Sequence, residues 1–232
     1  MEKIYEGKAK EVYSTENNSE YIIKYKDTAT AGNGEKRADI FGKGELNLAI
    51  TTAIFKMLEE NGVKTHYVET MDNRQMKVKK VEIMPLEVIV RNISAGSFAK
   101  RYGVDEGIVF EVPTFELSYK NDDLGDPLMV EDHAIALGII TKEEYDYLKR
   151  ETLKINDLLK DFFGKINLKL VDFKIEYGKD GNGNILLADE ISPDTCRLWD
   201  KDTNQKYDKD IFRRDLGDLI EGYKEVLNRI NG

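Results

Sequence analysis

The stretch LVDFKIEYG, residues 170–178, alternates so strictly that it leaves little choice of local structure. Side chains on a β-strand point to opposite faces in turn. Val171, Phe173, Ile175 and Tyr177 therefore share an apolar face, and Asp172, Lys174 and Glu176 share a charged one. GKDGNGN and then NILLADEI follow, so the segment reads as strand, turn and strand of a hairpin. If Asn182-Gly183 forms the turn, Glu176 pairs with Asp189; if Asp180-Gly181 forms it, Asp172 does. Either register sets Asp189 on the face of Lys174 and Glu176. Like charges placed opposite each other destabilise a sheet, and a cation between them reverses the sign. One or two hard carboxylate ligands suit Mg²⁺ held jointly with substrate phosphates, with Lys174 beside them to take a phosphate oxygen. A solvated hairpin face explains the same alternation. The hairpin, however, runs into DEISPDTCRLWD, whose Asp194, Arg197 and Trp199 are not the residues of a plain exposed turn.

Two further stretches carry phosphate chemistry. In YEGKAK, residues 5–10, small residues separate Lys8 from Lys10, which lets backbone approach a phosphate with both lysines on one strand face. An edge strand guarded by lysines has the same composition, and no Walker-type G-x-x-x-x-G-K-[ST] occurs. In RNISAGS, Arg91 ends an apolar strand and Ser94–Ser97 opens a short helix. Free N–H groups at that helix start, Arg91 and the Ser97 hydroxyl would together bind a phosphate. A serine cap with an arginine salt bridge is the bland equivalent.

The rest of the chain supplies a frame. One strand with a glycine inside it is expected over 2–14, and others over YIIKYK, over THYVETM and QMKVKKVEI around a DNR turn, over MPLEVIVRNIS, and over IVFEV and TFELSYK. DTATAGNGEKR and KNDDLGDPLMVEDH read as loops. Helices are expected from Gly44 to Gly62, from a capping box at Thr141 and Glu144 to Gly164, and over about 208–230. Strands dominate the first part, and later strands mix with helices. That favours an α+β fold, with a small N-terminal lobe (1–82) and a larger C-terminal lobe (83–232). The boundary falls near Val81–Pro85, where Pro85 is expected to interrupt pairing.

A net charge of −9 argues against a nucleic-acid partner, so any anionic ligand must be met by a local basic cluster. The single cysteine, Cys196, forbids an internal disulfide, and the two histidines lack zinc-ligand spacing. No apolar run approaches a membrane span and no signal core opens the chain, so no membrane is expected and the cytoplasm is the default.

Taken together, YEGKAK, IMPLEVIVRNISAGS (83–97), DDLGDP (122–127), LVDFKIEYG and DEISPDTCRLWD (189–200) resemble the SAICAR synthetase family of purine biosynthesis, nearly end to end. The signature ending at 178 usually reads E-F-G; Tyr177 stands for Phe here. The resemblance implies a small antiparallel-sheet N-terminal lobe and a larger α+β lobe, a kinase- and ATP-grasp-like fold with nucleotide between the lobes. It also implies an ATP-dependent carboxylate–amine ligase that joins L-aspartate to the carboxylate of CAIR, a carboxylated aminoimidazole ribonucleotide, giving SAICAR, ADP and phosphate. By the same resemblance Lys8 and Lys10 would contact ATP phosphates. Val81, Glu82 and Met84 would line an inter-lobe hinge against adenine. Lys174 would contact the transferring phosphate, and Glu176 and Asp189 would hold Mg²⁺. Arg91, Ser97 and Arg197 would bind the CAIR phosphate, and Asp126 would act near the imidazole or aspartate, with Lys120 and Arg213 as outer candidates. The expected partners are small molecules, with a homodimer as the candidate assembly. The kinase H-R-D and D-F-G motifs are absent, which weakens a phosphotransferase acting on a hydroxyl.

Overall fold

The computed structural model describes residues 1–232, apart from the side chain of Asn33. The N-terminal part carries β1 (Lys3–Glu6), β2 (Lys10–Ser14), β3 (Glu20–Tyr25), β4 (Thr28–Ala31), β5 (Lys36–Asp39), α1 (Lys43–Glu60), β6 (Tyr67–Thr70) and β7 (Gln75–Lys79). Five of these strands form an antiparallel sheet in the order β1-β2-β3-β7-β6. The glycine in the first expected strand is a break: Gly7 N–H donates to the Lys10 carbonyl at 2.8 Å and turns the chain. β4 and β5 pair as a separate two-stranded sheet where a loop was expected. Thr-Ala-Thr-Ala has no apolar–polar alternation to announce it. α1 matches its periodicity, with Ile50, Ile54 and Leu58 fully buried.

The C-terminal part is built on β8 (Glu82–Ile93), β9 (Val109–Tyr119), β10 (Leu128–Met129), β11 (Leu168–Lys179), β12 (Ile185–Leu187) and β13 (Cys196–Asp200). They run antiparallel in the order β10-β9-β8-β11-β12, and β13 also pairs with β11. IVFEV and TFELSYK are one strand rather than two, and CRLWD is a strand rather than loop. β8 does not stop at Pro85. The register against β11 slips between Glu176 and Gly178, opposite Ile83–Glu87, and a bulge tolerates a residue with no N–H. The helices here are α2 (Gly96–Tyr102), α3 (Glu131–Ala136), α4 (Lys142–Lys165), α5 (Asp210–Arg213) and α6 (Leu219–Asn231). The expected last helix is split. Asp215 and Gly217 adopt positive φ, and Asp218 restarts the helix by capping Ile220 N–H at 2.8 Å.

The core lies between the apolar face of β11 and α4. Phe173, Ile175 and Tyr177 join Leu148, Ile155, Leu159 and Phe163 in one buried cluster. Each such side chain gains about 1.5–3 kcal/mol on leaving water. α4 starts with the expected capping box: Glu144 N–H donates to Thr141 Oγ1 at 3.2 Å, and Thr141 N–H to Glu144 Oε2 at 3.0 Å. Tyr177 earns its hydroxyl here, sharing a 2.9 Å hydrogen bond with Thr152 of α4. No helix among the described residues is long and apolar enough to cross a membrane.

Candidate active site

The charged face of β11 is the floor of the site. Asp172 lies opposite Arg91 of β8, Lys174 opposite Ile89, and Glu176 opposite Glu87. The hairpin that was to bring Asp189 here has a different register. Tyr177 faces Leu187 and Lys179 faces Ile185, one residue out of the Asn182-Gly183 expectation. The loop has three residues because Asp180 shapes it, accepting from the amides of Asn182 at 2.8 Å and Asn184 at 2.9 Å. Continued in this register, β12 would put Asp189 on the apolar face. The strand ends at Leu187 instead, and Ala188 N–H donates to the Glu176 carbonyl at 3.0 Å as the chain turns away. Asp189 thereby arrives near Glu176, as expected, by a route the turn rules did not give.

The two carboxylates perturb each other. Burial pushes the Glu176 carboxyl up, and the negative charge of Asp189 pushes it further. Burial acts the same way on Asp189, but the charges of Lys10 and Lys174 outweigh it and hold its pKa down at about 2. Each carboxylate is met by a lysine, Lys120 on Glu176 and Lys10 on Asp189, while Lys174 pairs with Glu87. Lys10 also lies 3.4 Å from Glu190, a buried carboxylate whose Oε2 lacks a hydrogen-bond partner. Lys8 is not on a strand face with Lys10. It sits in the β1–β2 turn and reaches Asp122 at 2.8 Å, across to the loop after β9.

Beside this cluster is a cavity of about 190 Å³ whose lining includes Arg91, Ser97, Lys174, Asp194, Arg197 and Arg213. Asp172 ties its arginines together: Oδ2 accepts from Arg91 Nη1 and from Arg197 Nη1, each at 2.8 Å. Arg91 also grips Glu116 through Nε at 2.7 Å and meets Ser97 Oγ at 3.3 Å. Arg197 Nε donates to Asp210 at 3.0 Å. Gly96 makes room for this fork, since a Cβ there would lie 2.2 Å from Arg197 Nη2. The expected free amides of α2 are not all available, because Gly96 N–H donates to Glu106 Oε1 at 2.8 Å. Asp172 was legible from alternation, and its role as the buckle between two arginines was not.

The profile of the SAICAR synthetase family matches residues 3–230. A phosphoribosylaminoimidazole-succinocarboxamide synthase of Finegoldia magna is 81% identical over 232 residues, covering 100% of both chains. Among solved structures, the same synthase from Ehrlichia chaffeensis superposes with a TM-score of 0.97 at 46% identity, over 99% of this chain and 98% of that one. A SAICAR synthetase described in complex with ADP gives a TM-score of 0.95 at 49% identity, over 97% of this chain and 96% of that one. This chain belongs to the SAICAR synthetase family. It is an ATP-dependent ligase of purine biosynthesis that joins L-aspartate to the carboxylate of CAIR.

In this SAICAR synthetase family member the other expected site residues are differently placed. Val81 links β7 to β8, Glu82 and Met84 open β8, and β9 joins the strand only from Leu86 onward. The edge of Glu82–Met84 that would face β9 is therefore clear of it. Gly178 admits this segment, since a Cβ there would meet Val81 Cγ2 at 2.5 Å. Asp126 adopts φ +48, and its carboxylate accepts from Asn121 N–H at 2.8 Å, closing the loop that carries Asp122. Trp199 points away from the cluster, into a small core with Ile93, Ala95 and Val171.

Proposed function

We propose that the enzyme activates the CAIR carboxylate by phosphorylation on the charged floor of β11, in a cleft between an N-terminal lobe of residues 1–82 and a C-terminal lobe of residues 83–232. One carboxylate oxygen attacks the γ-phosphorus of ATP and ADP leaves. The amine of L-aspartate then attacks the acyl phosphate, phosphate departs with that oxygen, and the amine gives up a proton. The step is needed because a carboxylate has no leaving group better than oxide. The observation that carries this reading is the convergence of Lys10, Lys120 and Lys174 with Glu176 and Asp189 beside an arginine-lined cavity. Positive side chains there offset charge as the phosphoryl group moves, which is chiefly electrostatic catalysis.

Glu176 and Asp189 fit Mg²⁺. Glu176 is buried and Asp189 half-buried, and these two hard carboxylates repel each other in this structure. The described residues include no group of three His, Cys, Asp or Glu side chains that could hold a metal. Two suffice for Mg²⁺, which takes one or two carboxylates and completes its shell from phosphates and water. When bound, the ion would neutralise the β- and γ-phosphate oxygens. Lys8 and Lys10 orient the phosphates in this reading, Lys174 follows the transferring group, and the clear edge of Glu82–Met84 offers backbone groups to adenine. Arg91, Ser97 and Arg197 take the ribonucleotide phosphate. Asp126 acts by shaping the loop over the cleft. A cytoplasmic homodimer is part of the same proposal.

Positional isotope exchange in ATP tests the order of events. Reversible phosphorylation of CAIR without L-aspartate scrambles the β,γ-bridging oxygen of labelled ATP, and that is the expected result. Scrambling that needs L-aspartate would show that phosphate moves only after the amine has added. An oxygen-18 label in the CAIR carboxylate should reach phosphate by either route.

A further inference from the structure

One edge of α1 is polar where a helix of this kind should be apolar. Lys43, Asn47 and Thr51 are spaced four apart, so they lie above one another on one face. Their exposures are 0%, 1% and 0%. A lysine in the first turn of a helix sits at the positive end of the macrodipole, and burying its charge adds a desolvation cost. Lys43 suffers both. What compensates is Asp194, whose Oδ2 accepts from Lys43 Nζ at 2.6 Å. Its Oδ1 accepts from Tyr223 of α6 at 2.5 Å. Two helical steps on, Thr51 Oγ1 donates to the Ile191 carbonyl at 3.2 Å, while between them Asn47 Oδ1 is buried without a partner. The two ends of the polar stripe of α1 thus hold the segment 189–195, which starts at the Asp189 carboxylate and reaches the arginine cavity at Asp194.

A buried ion pair of this kind is poor value for stability alone, because apolar replacements of similar volume often do as well. Asp194 is also the one carboxylate among the cavity residues Arg91, Arg197, Arg213 and Lys174 that is fixed from behind by a helix of the N-terminal part. The cavity's other carboxylate, Asp172, is already committed to Arg91 and Arg197, so the fixed acceptor Asp194 is the one left to select a donor on the ligand. We infer that Lys43 is a positioning residue: with Tyr223 it locks Asp194 as a charged acceptor for a hydroxyl or amine of the ribonucleotide substrate. The inference rests on the reading of this cavity as the ribonucleotide pocket. It also ties α1 to recognition of a substrate that α1 does not touch.

The test compares Lys43→Met, the double variant Lys43→Met/Asp194→Asn, and Arg91→Lys, with a KM for each substrate and a melting temperature for each protein. Lys43→Met should raise the KM for CAIR at least about tenfold, the scale of one charge-assisted hydrogen bond lost. The KM values for ATP and L-aspartate should stay unchanged. The double variant removes both charges, so its melting temperature should recover while its KM for CAIR stays raised. If KM and melting temperature recover together, Lys43 serves stability only and the inference is overturned. An unchanged KM for CAIR in Lys43→Met, or an equal rise in all three, overturns it as well. Should Lys43→Met fail to fold, the charge-neutral double variant decides alone. Arg91→Lys separates the two levels. If it too leaves the KM for CAIR unchanged, the pocket reading has failed; if it raises that KM, only the role of Lys43 has.

Discussion

The two faces of β11 are made from the same nine-residue alternation and live by different rules. On one, Phe173, Ile175 and Tyr177 pack against α4 and leave a single polar contact, Tyr177 with Thr152. On the other, Asp172, Lys174 and Glu176 each find a partner of opposite charge: Arg91 and Arg197, Glu87, and Lys120. The apolar face is held by shape and is complete in itself. The charged face is held by ion pairs, which in the proposed function ligand phosphates and a metal would replace. A strand can therefore anchor the core and floor an active site at once, because alternation keeps the two from interfering.

Substitutions can break that separation or sharpen it. The largest stability effect belongs to the apolar face. Ile175→Ala removes a side chain with 0% exposure and should cost about 2–5 kcal/mol. Denaturant unfolding measures the cost, and kcat/KM per folded molecule should not change; a large loss of kcat/KM would show that the faces are coupled. The charged face should behave in the opposite way. Arg91→Lys loses the planar fork that grips Glu116 and meets Asp172. It should raise the KM for CAIR by about 10- to 150-fold, from about 1.5–3 kcal/mol, with that for ATP nearly unchanged. A rise for ATP in place of CAIR would move Arg91 to the nucleotide site. The smallest effect is Tyr177→Phe, which restores the usual E-F-G and leaves the Thr152 hydroxyl alone. About 1 kcal/mol of stability should go, with kinetics untouched.

Much of this was legible in the chain. The period-2 pattern gave both faces of β11, and the capping box placed the start of α4. The near approach of Glu176 and Asp189 was also foreseen, although its derivation failed, because a two-residue turn was assumed where the Asp180 side chain builds a three-residue loop. β4, β5 and β13 were missed because short strands without alternation carry no local signal. The break before α6 did leave one: Asp218, with Glu221 three residues on, is a helix start. The pair Lys43–Asp194 spans 151 residues, and no local rule reaches that far. Lys8 and Lys10 shared a segment but not a destination, since Gly7 turns the chain between them and β1.

The central claim is that Glu176 and Asp189, apart in sequence and crowded in space, are a metal-and-phosphate floor rather than a structural accident. Calorimetric titration of ADP with and without Mg²⁺ tests it most directly, on the natural protein and on Glu176→Gln and Asp189→Asn. The account predicts that Mg²⁺ tightens ADP binding to the natural protein, and that each variant loses this metal dependence, and its turnover, while keeping its circular dichroism. Unchanged metal dependence and unchanged activity in both variants would contradict it.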